Sequence, residues 1–350
     1  MRDCSTYQFR CATLSELEFQ QSMNKKVILG ILISVVLVYL SVRGIKLQDI
    51  LSDLEKIKLS YVIIFILLVL LMQWLRSYRW GVILQPLEKI DQVSLFSVTS
   101  VGFLAIAAIP ARIGELARPY LIAQRSNIKM SSALGTILVE RVFDGFSVLS
   151  IAVIVLLFAD LPSFLIESSI IFFLLALLIF FCIVFLILRR EKALKLINRI
   201  LSNLPGKFAN KIDDLIHSFI DGFQIVTNIR LLMYLFFLSA LIWLVDVLAI
   251  YALLLSFGFT LPVIASFVLM IILIVGIAIP AGPGYIGNWH YACVLALSLF
   301  GLAKADALSF AVVYHFLSMA IVIILGVIFI PFNKFSISDL KKQMNNKEEI

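Results

Sequence analysis

Residues 107–125, AAIPARIGELARPYLIAQR, place three arginines and a glutamate directly after a long apolar run. Charged side chains beside a membrane-grade sequence are costly unless they face protein or a water-filled cavity. A second stretch, IAIPAGPG at 277–284, repeats Ile-Pro-Ala, and in both stretches a glycine follows the proline by four residues. Because proline interrupts a helix, the two stretches predict interrupted helices at matching places of a repeated fold.

The composition is that of a membrane protein that crosses the bilayer several times. The chain has 350 residues, of which 62% are hydrophobic and 15% charged, and its mean hydropathy is +1.06. Soluble domains carry about 25% charged residues. The spans should be α-helices, since a helix satisfies its own backbone hydrogen bonds in lipid.

The net charge of +7 does not indicate a nucleic-acid partner. The basic residues cluster between hydrophobic runs, which is the distribution of cytoplasmic loops in membrane proteins. Metals, cofactors and disulfides are not expected either, because no Cys-x-x-Cys or Cys/His ligand spacing occurs among Cys4, Cys11, Cys182 and Cys293.

The hydrophobic runs predict an all-α polytopic fold with six spanning helices and two shorter, interrupted helices. The predicted spans are 26–43, 60–80, 131–158, 163–188, 231–257 and 305–330. The two shorter stretches, 94–109 and 262–279, each end at a proline and are predicted to form re-entrant helical hairpins. Segments 45–59 and 190–229 repeat apolar residues at helical spacing and are predicted to lie in the membrane interface.

Lysine and arginine set the predicted orientation. Segment 189–230 is strongly basic and is placed in the cytoplasm, whereas the loop at 159–162 has no basic residue and is placed outside. Both termini then lie in the cytoplasm, and the two hairpins enter from opposite sides. This arrangement is an inverted-topology repeat, 26–158 against 163–330. The alternative is eight ordinary spans with proline-kinked ends.

Three domains are predicted along the chain. Residues 1–22 form a polar tail, or an extension before a natural start at Met23, because the apolar anchor begins only after that methionine. Residues 23–332 form the transmembrane domain, and 333–350 a cytoplasmic tail. The expected location is the cell membrane.

Two groups of charged residues carry the functional prediction. Arg112, Glu115 and Arg118 recur at a spacing of three, so on a helix they share one face and can form charge-assisted bonds with one another. The second group lies inside the third predicted span and consists of Glu140, Arg141 and Asp144. One interpretation is an ion-pair network that fastens the hairpin to the span. The other is a site for a lipid headgroup or a coupling ion, since arginine binds phosphate oxygens two at a time.

Further candidate residues lie in the second half of the sequence. They are the turn glycines of the second hairpin, a histidine that follows them, and the acidic residue of the 231–257 span: Gly282, Gly284, Gly287, His290 and Asp246. Glycines allow tight turns and close backbone approach. Arg76 and Arg79, in WLRSYRW, are predicted to be interfacial anchors.

Three motifs in order, PARIGELAR at 110–118, ERVFD at 140–144 and PAGPGYIG at 280–287, resemble the transmembrane region of lysylphosphatidylglycerol synthases. The resemblance extends from about residue 25 to 332 and implies a membrane-embedded domain that translocates lipids with modified headgroups. It places the two charged groups at the family's charged motif positions. The family usually has a glutamate where this chain has His290, so ion coupling through that carboxylate does not carry over. About 19 residues follow the last predicted span, too few for the aminoacyl-transfer domain of the full synthases, so a free-standing member is expected.

The leading hypothesis is therefore a flippase or scramblase-like translocator of an anionic or polar-headed lipid, and not an enzyme. Two alternatives stay open: a membrane-embedded transferase acting on a lipid-linked substrate, with Glu115 or Asp144 as base, and a non-catalytic accessory subunit of an envelope-lipid pathway. Membrane lipids with an anionic headgroup are the expected partners. Assembly with further copies of the chain is left open.

Overall fold

The computed structural model describes residues 32–45, 47–108, 114–158, 229–278 and 283–333, with residues 171, 174 and 178. These residues form helices and turns, and no strand occurs among them. In chain order the helices are α1 (Leu32–Val42), α2 (Leu47–Glu55), α3 (Leu59–Leu84), α4 (Gln92–Ala108), α5 (Ala117–Arg125), α6 (Met130–Phe158), α7 (Ile229–Ser256), α8 (Ile264–Ala278), α9 (Asn288–Ser298) and α10 (Lys304–Asn333).

The all-α membrane class is confirmed by the long apolar helices. Within the described ranges, three helices are long and apolar enough to cross a membrane: Leu59–Leu84, Arg230–Ser256 and Lys304–Asn333. Helix α6 is comparably long, with 29 residues, but it carries the predicted charged group Glu140, Arg141 and Asp144. The predicted span 163–188 and the segment 190–229 lie outside the described ranges, apart from the three isolated residues and the start of α7.

Helices α3 and α7 pack along each other and run antiparallel. The backbone N–H of Lys58, at the start of α3, donates to the carbonyl of Ser256 at the end of α7, at 2.9 Å. At the other end of the pair, the hydroxyls of Tyr78 and Tyr234 lie 3.1 Å apart. Apolar side chains such as Phe65 and Ile250 fill the space around this pair and are fully buried.

Helix α4 packs against α10, also antiparallel. The Asn333 side-chain amide donates to the Ser97 hydroxyl at 2.6 Å, near the start of α4 and the end of α10. Further along the pair, Leu104 lies against Gly326, where a larger residue would collide with the leucine side chain. The amphipathic segment predicted at 45–59 forms α2, which packs on α10 through a hydrogen bond from the Ser309 hydroxyl to the Asp53 carboxylate, at 3.0 Å.

The two stretches predicted to be interrupted helices do each form two helices that pack together. Helix α4 ends at Ala108, before Pro110, and the chain returns along it as α5; likewise α8 ends at Ala278, before Pro280, and α9 packs on it. The turns between them include segments 109–113 and 279–282, which lie outside the described ranges.

Glycines allow the close approach within both helix pairs. The backbone of Gly114 lies directly against that of Ala105, so there is no room for a side chain. In the second pair, a Cβ on Gly276 would lie 2.8 Å from the Cβ of Ala292. At both positions, a side chain in place of the glycine would push the two packed segments apart.

Candidate functional site

Four charged residues from three helices form a buried ion network, which we define as Arg79 of α3, Arg118 of α5, and Glu140 and Asp144 of α6. Arg118 holds Glu140 with both terminal nitrogens, at 3.0 and 2.9 Å. Arg79 holds Asp144 in the same two-pronged way, at 2.5 and 3.1 Å. A longer contact of 3.5 Å joins Arg79 to Glu140, so the two pairs are one network.

The Arg118 side chain is fixed on every side and is 1% exposed. Its guanidinium carbon lies 4.3 Å from the centre of the Trp80 ring, within the range of a cation–π contact. The Trp80 indole N–H donates in turn to the Thr136 hydroxyl at 3.1 Å. The aliphatic part of Arg118 crosses α4 at Gly102, where any side chain would collide with it.

The predicted bond between Arg118 and Glu115 does not form in the structure. Residues 114–116 form a single 3-10 turn, so Glu115 lies before the α-helix that carries Arg118. Glu140 of the next helix takes its place as the partner of the arginine. Arg112 lies outside the described residues.

Arg141 is the open cation beside the ion network. Its side chain is 44% exposed, and its nitrogens lie 3.7 Å from both Glu140 and Asp144. Glu115, which is half-buried, also interacts electrostatically with Arg141. The site therefore combines two buried arginines, each bound to a carboxylate through both terminal nitrogens, with one arginine that solvent, or a ligand, can reach.

Arg76 and Arg79 lie inside the bundle, so their predicted role as interfacial anchors is wrong. Arg79 is 1% exposed and donates to Ser239 on α7 at 2.6 Å, in addition to its carboxylate partner. Arg76 lies under the rings of Phe103 and Trp243, with its guanidinium carbon 5.3 and 6.0 Å from their centres. Sequence reasoning missed this because two arginines beside tryptophans are also typical of a membrane interface. The sequence did offer a signal: the two arginines are three residues apart, and a further charged group lies in the apolar stretch that forms α6.

The candidate residues of the second half surround the start of α9. Gly284 and Gly287 have φ of 67° and 96°, backbone conformations that favour glycine. A Cβ on Gly287 would lie 2.6 Å from the carbonyl oxygen of Ser34 on α1, so the turn packs directly on that helix. Gly282 lies outside the described residues.

Two histidines meet behind this turn. The rings of His290 and His315 have centres 4.9 Å apart, and the His315 Nε2 is 2.6 Å from the carbonyl oxygen of Gly284. No described residue bonds to Nδ1 of His290. Asp246 lies on α7 and interacts electrostatically with Arg76.

The predicted site residues thus fall into two groups. Arg118, Glu140, Arg141 and Asp144 come together with Glu115 beside them, whereas Gly284, Gly287 and His290 surround the α9 turn. Among the described residues, no group of three or more His, Cys, Asp and Glu side chains could hold a metal ion.

The fold and its charged network are those of an all-helical membrane domain, and comparison with known sequences gives the family. The profile of the lysylphosphatidylglycerol synthase transmembrane region matches residues 27–326. The chain therefore belongs to this family.

Relatives in two methanogens support the assignment. A UPF0104 membrane protein of Methanocaldococcus jannaschii is 26% identical over 223 residues, which cover 63% of this chain and 90% of the relative. A UPF0104 membrane protein of Methanothermobacter thermautotrophicus is 24% identical over 303 residues, covering 82% of this chain and 89% of the relative. No solved structure matches the chain.

Proposed function

We propose that this protein translocates an anionic or polar-headed lipid across the cell membrane, as a flippase or scramblase-like transporter. The observation that carries the proposal is the ion network inside an apolar bundle, with Arg141 open at its edge. A charged residue at membrane depth costs at least ~2.5 kcal/mol on insertion scales. Buried ion pairs rarely improve stability over apolar packing, so a cluster of this size favours a functional role.

Each charged residue has a separate part in this proposal. Arg141 contacts the headgroup, because its side chain is the accessible one. Arg118 and Glu140 do not need to touch the lipid: they fix α5 against α6 and so hold the first interrupted helix beside Arg141. Glu115, which interacts electrostatically with Arg141, is a further candidate headgroup contact, and Arg112 stays a candidate from its sequence motif alone.

An inverted repeat would supply the alternating access. Gly114 and Gly284 are 170 residues apart, and the same shift takes the ranges of α3–α6, the first half, onto those of α7–α10, the second half, within a few residues. The antiparallel contacts of α3 and α7 support opposite orientations for the two halves. In such repeats, discontinuous helices from each half meet near the midplane, where substrate binds. The pairs α4–α5 and α8–α9 would be the two re-entrant hairpins.

The turn at α9 is the counterpart of the charged site in the second half. Gly284 and Gly287 let this hairpin bend, and His290 adds a polar ring beside it. We infer that this hairpin moves against α1 while the first hairpin, fixed by its ion pairs, stays in place.

Reconstitution into liposomes tests the function. Fluorescent phospholipids are placed in both leaflets, and a membrane-impermeant reductant destroys only the accessible fluorophores. Translocation by the purified protein, without any added donor substrate, brings the inner-leaflet lipid within reach of the reductant. Protein-free liposomes should keep that fraction protected.

Two variants make the test specific. Arg141→Gln removes the open cation and should slow translocation by about tenfold, the loss expected for one hydrogen-bonded charge contact. Arg125→Gln removes an exposed arginine at the end of α5 and should leave the rate unchanged. Equal rates for wild type and Arg141→Gln would remove Arg141 from the site. A new lipid product formed only with a donor substrate would favour the transferase alternative.

A further inference from the structure

We propose that Arg76 and Asp246 form a second, central headgroup site, in which Arg76 binds the phosphate of a lipid and Asp246 balances its charge when no lipid is bound. The proposal rests on lipid translocation and extends it. It adds one residue from each half, on the antiparallel pair of helices α3 and α7.

Arg76 has no hydrogen-bonded or ion-paired partner among the residues that the structure describes. It lies eight residues before the end of α3, about 12 Å along the helix at 1.5 Å per residue. It is half-buried, and among the described residues it makes no hydrogen bond and no ion pair within 4 Å. Arg79, one turn later, by contrast donates from both terminal nitrogens to Asp144 and also to Ser239. A guanidinium at this depth without a bonding partner has its donors free for a ligand.

Aromatic rings hold Arg76 without using the N–H donors of its guanidinium. Phe103 of α4 and Trp243 of α7 lie 5.3 and 6.0 Å from the guanidinium carbon. A cation–π contact engages the flat face of the guanidinium. The N–H groups at its edge therefore remain available, and their planar fork suits two oxygens of a phosphate.

The position of Asp246 lets it balance the charge of Arg76. It lies 170 residues after Arg76 and so occupies the equivalent place in the second half. Helical side chains lean toward the N-terminus of their helix, and because α3 and α7 are antiparallel the two side chains lean toward each other. They interact electrostatically but do not form an ion pair within 4 Å. The carboxylate thus offsets the arginine charge without occupying its donors.

The site is continuous with the ion network. Arg76 also interacts electrostatically with Asp144 and Arg141 of α6. Phe103 lies between the two regions, since its ring centre is 5.8 Å from the guanidinium carbon of Arg118. A headgroup released by Arg141 would therefore meet Arg76 as the next free cation on its way between the halves.

Ligand-induced thermal stabilisation in detergent tests the site. The probe is a short-chain phosphatidylglycerol, with inorganic phosphate and a short-chain diacylglycerol in parallel. Wild type should be stabilised by the phospholipid, weakly by phosphate and not by diacylglycerol. Arg76→Gln should weaken phospholipid binding by about tenfold or more, because a hydrogen-bonded charge is lost. Asp246→Asn should bind at least as tightly as wild type, since the competing carboxylate is gone. Arg125→Gln is the matched control and should bind as wild type does.

The outcomes distinguish a headgroup site from an Arg76–Asp246 pair that serves only the structure. If Arg76→Gln binds phospholipid like wild type, or if Asp246→Asn weakens binding as much as Arg76→Gln does, the proposal is overturned. Stabilisation by inorganic phosphate equal to that by the lipid would assign the site to free phosphate instead and would overturn it as a headgroup site. If Arg76→Gln does not fold, Arg76→Lys decides, because it keeps the charge but loses the fork and should bind several-fold more weakly.

Transport measured in liposomes separates this inference from the proposed function. Wild type that binds phospholipid through Arg76 but moves no lipid would contradict translocation alone. Transport by Arg76→Gln at the wild-type rate would contradict the central site alone.

Discussion

The first half of the bundle carries buried ions where the second half carries uncharged side chains. At the places of Arg118, Glu140 and Asp144, a shift of 170 residues gives Asn288, Phe310 and Tyr314. All six of these residues are buried. The second half closes its core with aromatic contacts, such as ring centres 5.6 Å apart for Phe310 and Tyr314. The same helix arrangement therefore does not require charges at these positions.

This difference bears on why the ions are there. A buried ion pair loses the hydration of both partners, and apolar residues of similar volume are often equal or better for stability. The second half provides such an uncharged solution within the same chain, with Asn288, Phe310 and Tyr314 at the equivalent places. The ion network is therefore better explained by what Arg141 does at its edge than by a need of the fold. Once buried, each charged residue of the network still needs its partner, because loss of the partner leaves a buried charge unbalanced.

The largest expected effect concerns the orientation of the halves. With the four native cysteines replaced by serine, Asn127→Cys after α5 and Ser298→Cys at the end of α9 are equivalent, exposed positions within one residue of the shift. In an inverted repeat they lie on opposite membrane faces. A membrane-impermeant thiol reagent should therefore reach Asn127→Cys only from the cytoplasm and Ser298→Cys only from outside. Labelling of both from one side would exclude the inverted repeat.

Glu140→Gln should have the next largest effect. It leaves Arg118 buried without its carboxylate partner, while Arg79 keeps Asp144, and breaking a buried pair in this way costs about 3–5 kcal/mol of unfolding free energy. The double replacement Arg118→Met with Glu140→Leu removes both charges and should cost less than Glu140→Gln alone. Thermal unfolding in detergent gives the order.

Phe310→Leu, at the equivalent place of Glu140, is the comparison for that measurement. It trims an apolar contact and strands no charge, so its loss should be smaller than that of Glu140→Gln. If Glu140→Gln is as stable as wild type, the network does not hold the hairpin, and Arg118 becomes free to act as a headgroup ligand.

The equivalent glycines Gly114 and Gly284 should respond for different reasons. A methyl group on Gly114 meets the backbone of Ala105, which cannot move aside, so Gly114→Ala should cost about 2–3 kcal/mol through overpacking. Gly284 has open space around it and a φ of 67°, so Gly284→Ala should cost only about 1 kcal/mol, from backbone strain.

Asparagine distinguishes the two causes. Asparagine tolerates the left-handed conformation better than alanine does, so Gly284→Asn should recover part of the loss in a thermal unfolding experiment. Gly114→Asn adds volume where there is none and should be worse than Gly114→Ala. The same ranking at both positions would mean that the two turns are not built differently.

Much of the fold could be predicted from local pattern. Apolar run lengths and the prolines at 110 and 280 give the interrupted helices, because a span needs about 20 residues and proline stops a helix. The partners of the charged residues could not be predicted in this way. Arg118 and Glu115 are three residues apart in sequence, yet Arg118 bonds to Glu140, which lies 22 residues further along the chain on α6. Arg79 joins the network from 65 residues away along the chain, a contact that depends on how α3 packs on α6.

The smallest expected effect is at the entry to the two interrupted helices. Asp91 caps α4, since its carboxylate accepts a hydrogen bond from the Ser94 backbone N–H at 2.8 Å, whereas the equivalent Leu261 before α8 has no side-chain acceptor. This hydrogen bond lowers the pKa of Asp91 below its usual value. A lowered pKa means that the stabilisation is fully present above the ordinary pKa of about 3.9 and is lost as the pH falls through the folded-state value.

Asp91→Ala should therefore cost about 1 kcal/mol or less at neutral pH, and the difference from wild type should vanish in strong acid. Leu261→Ala should show no such dependence on pH. Thermal unfolding between pH 2 and pH 7 would contradict the cap if the wild type and Asp91→Ala curves ran parallel throughout.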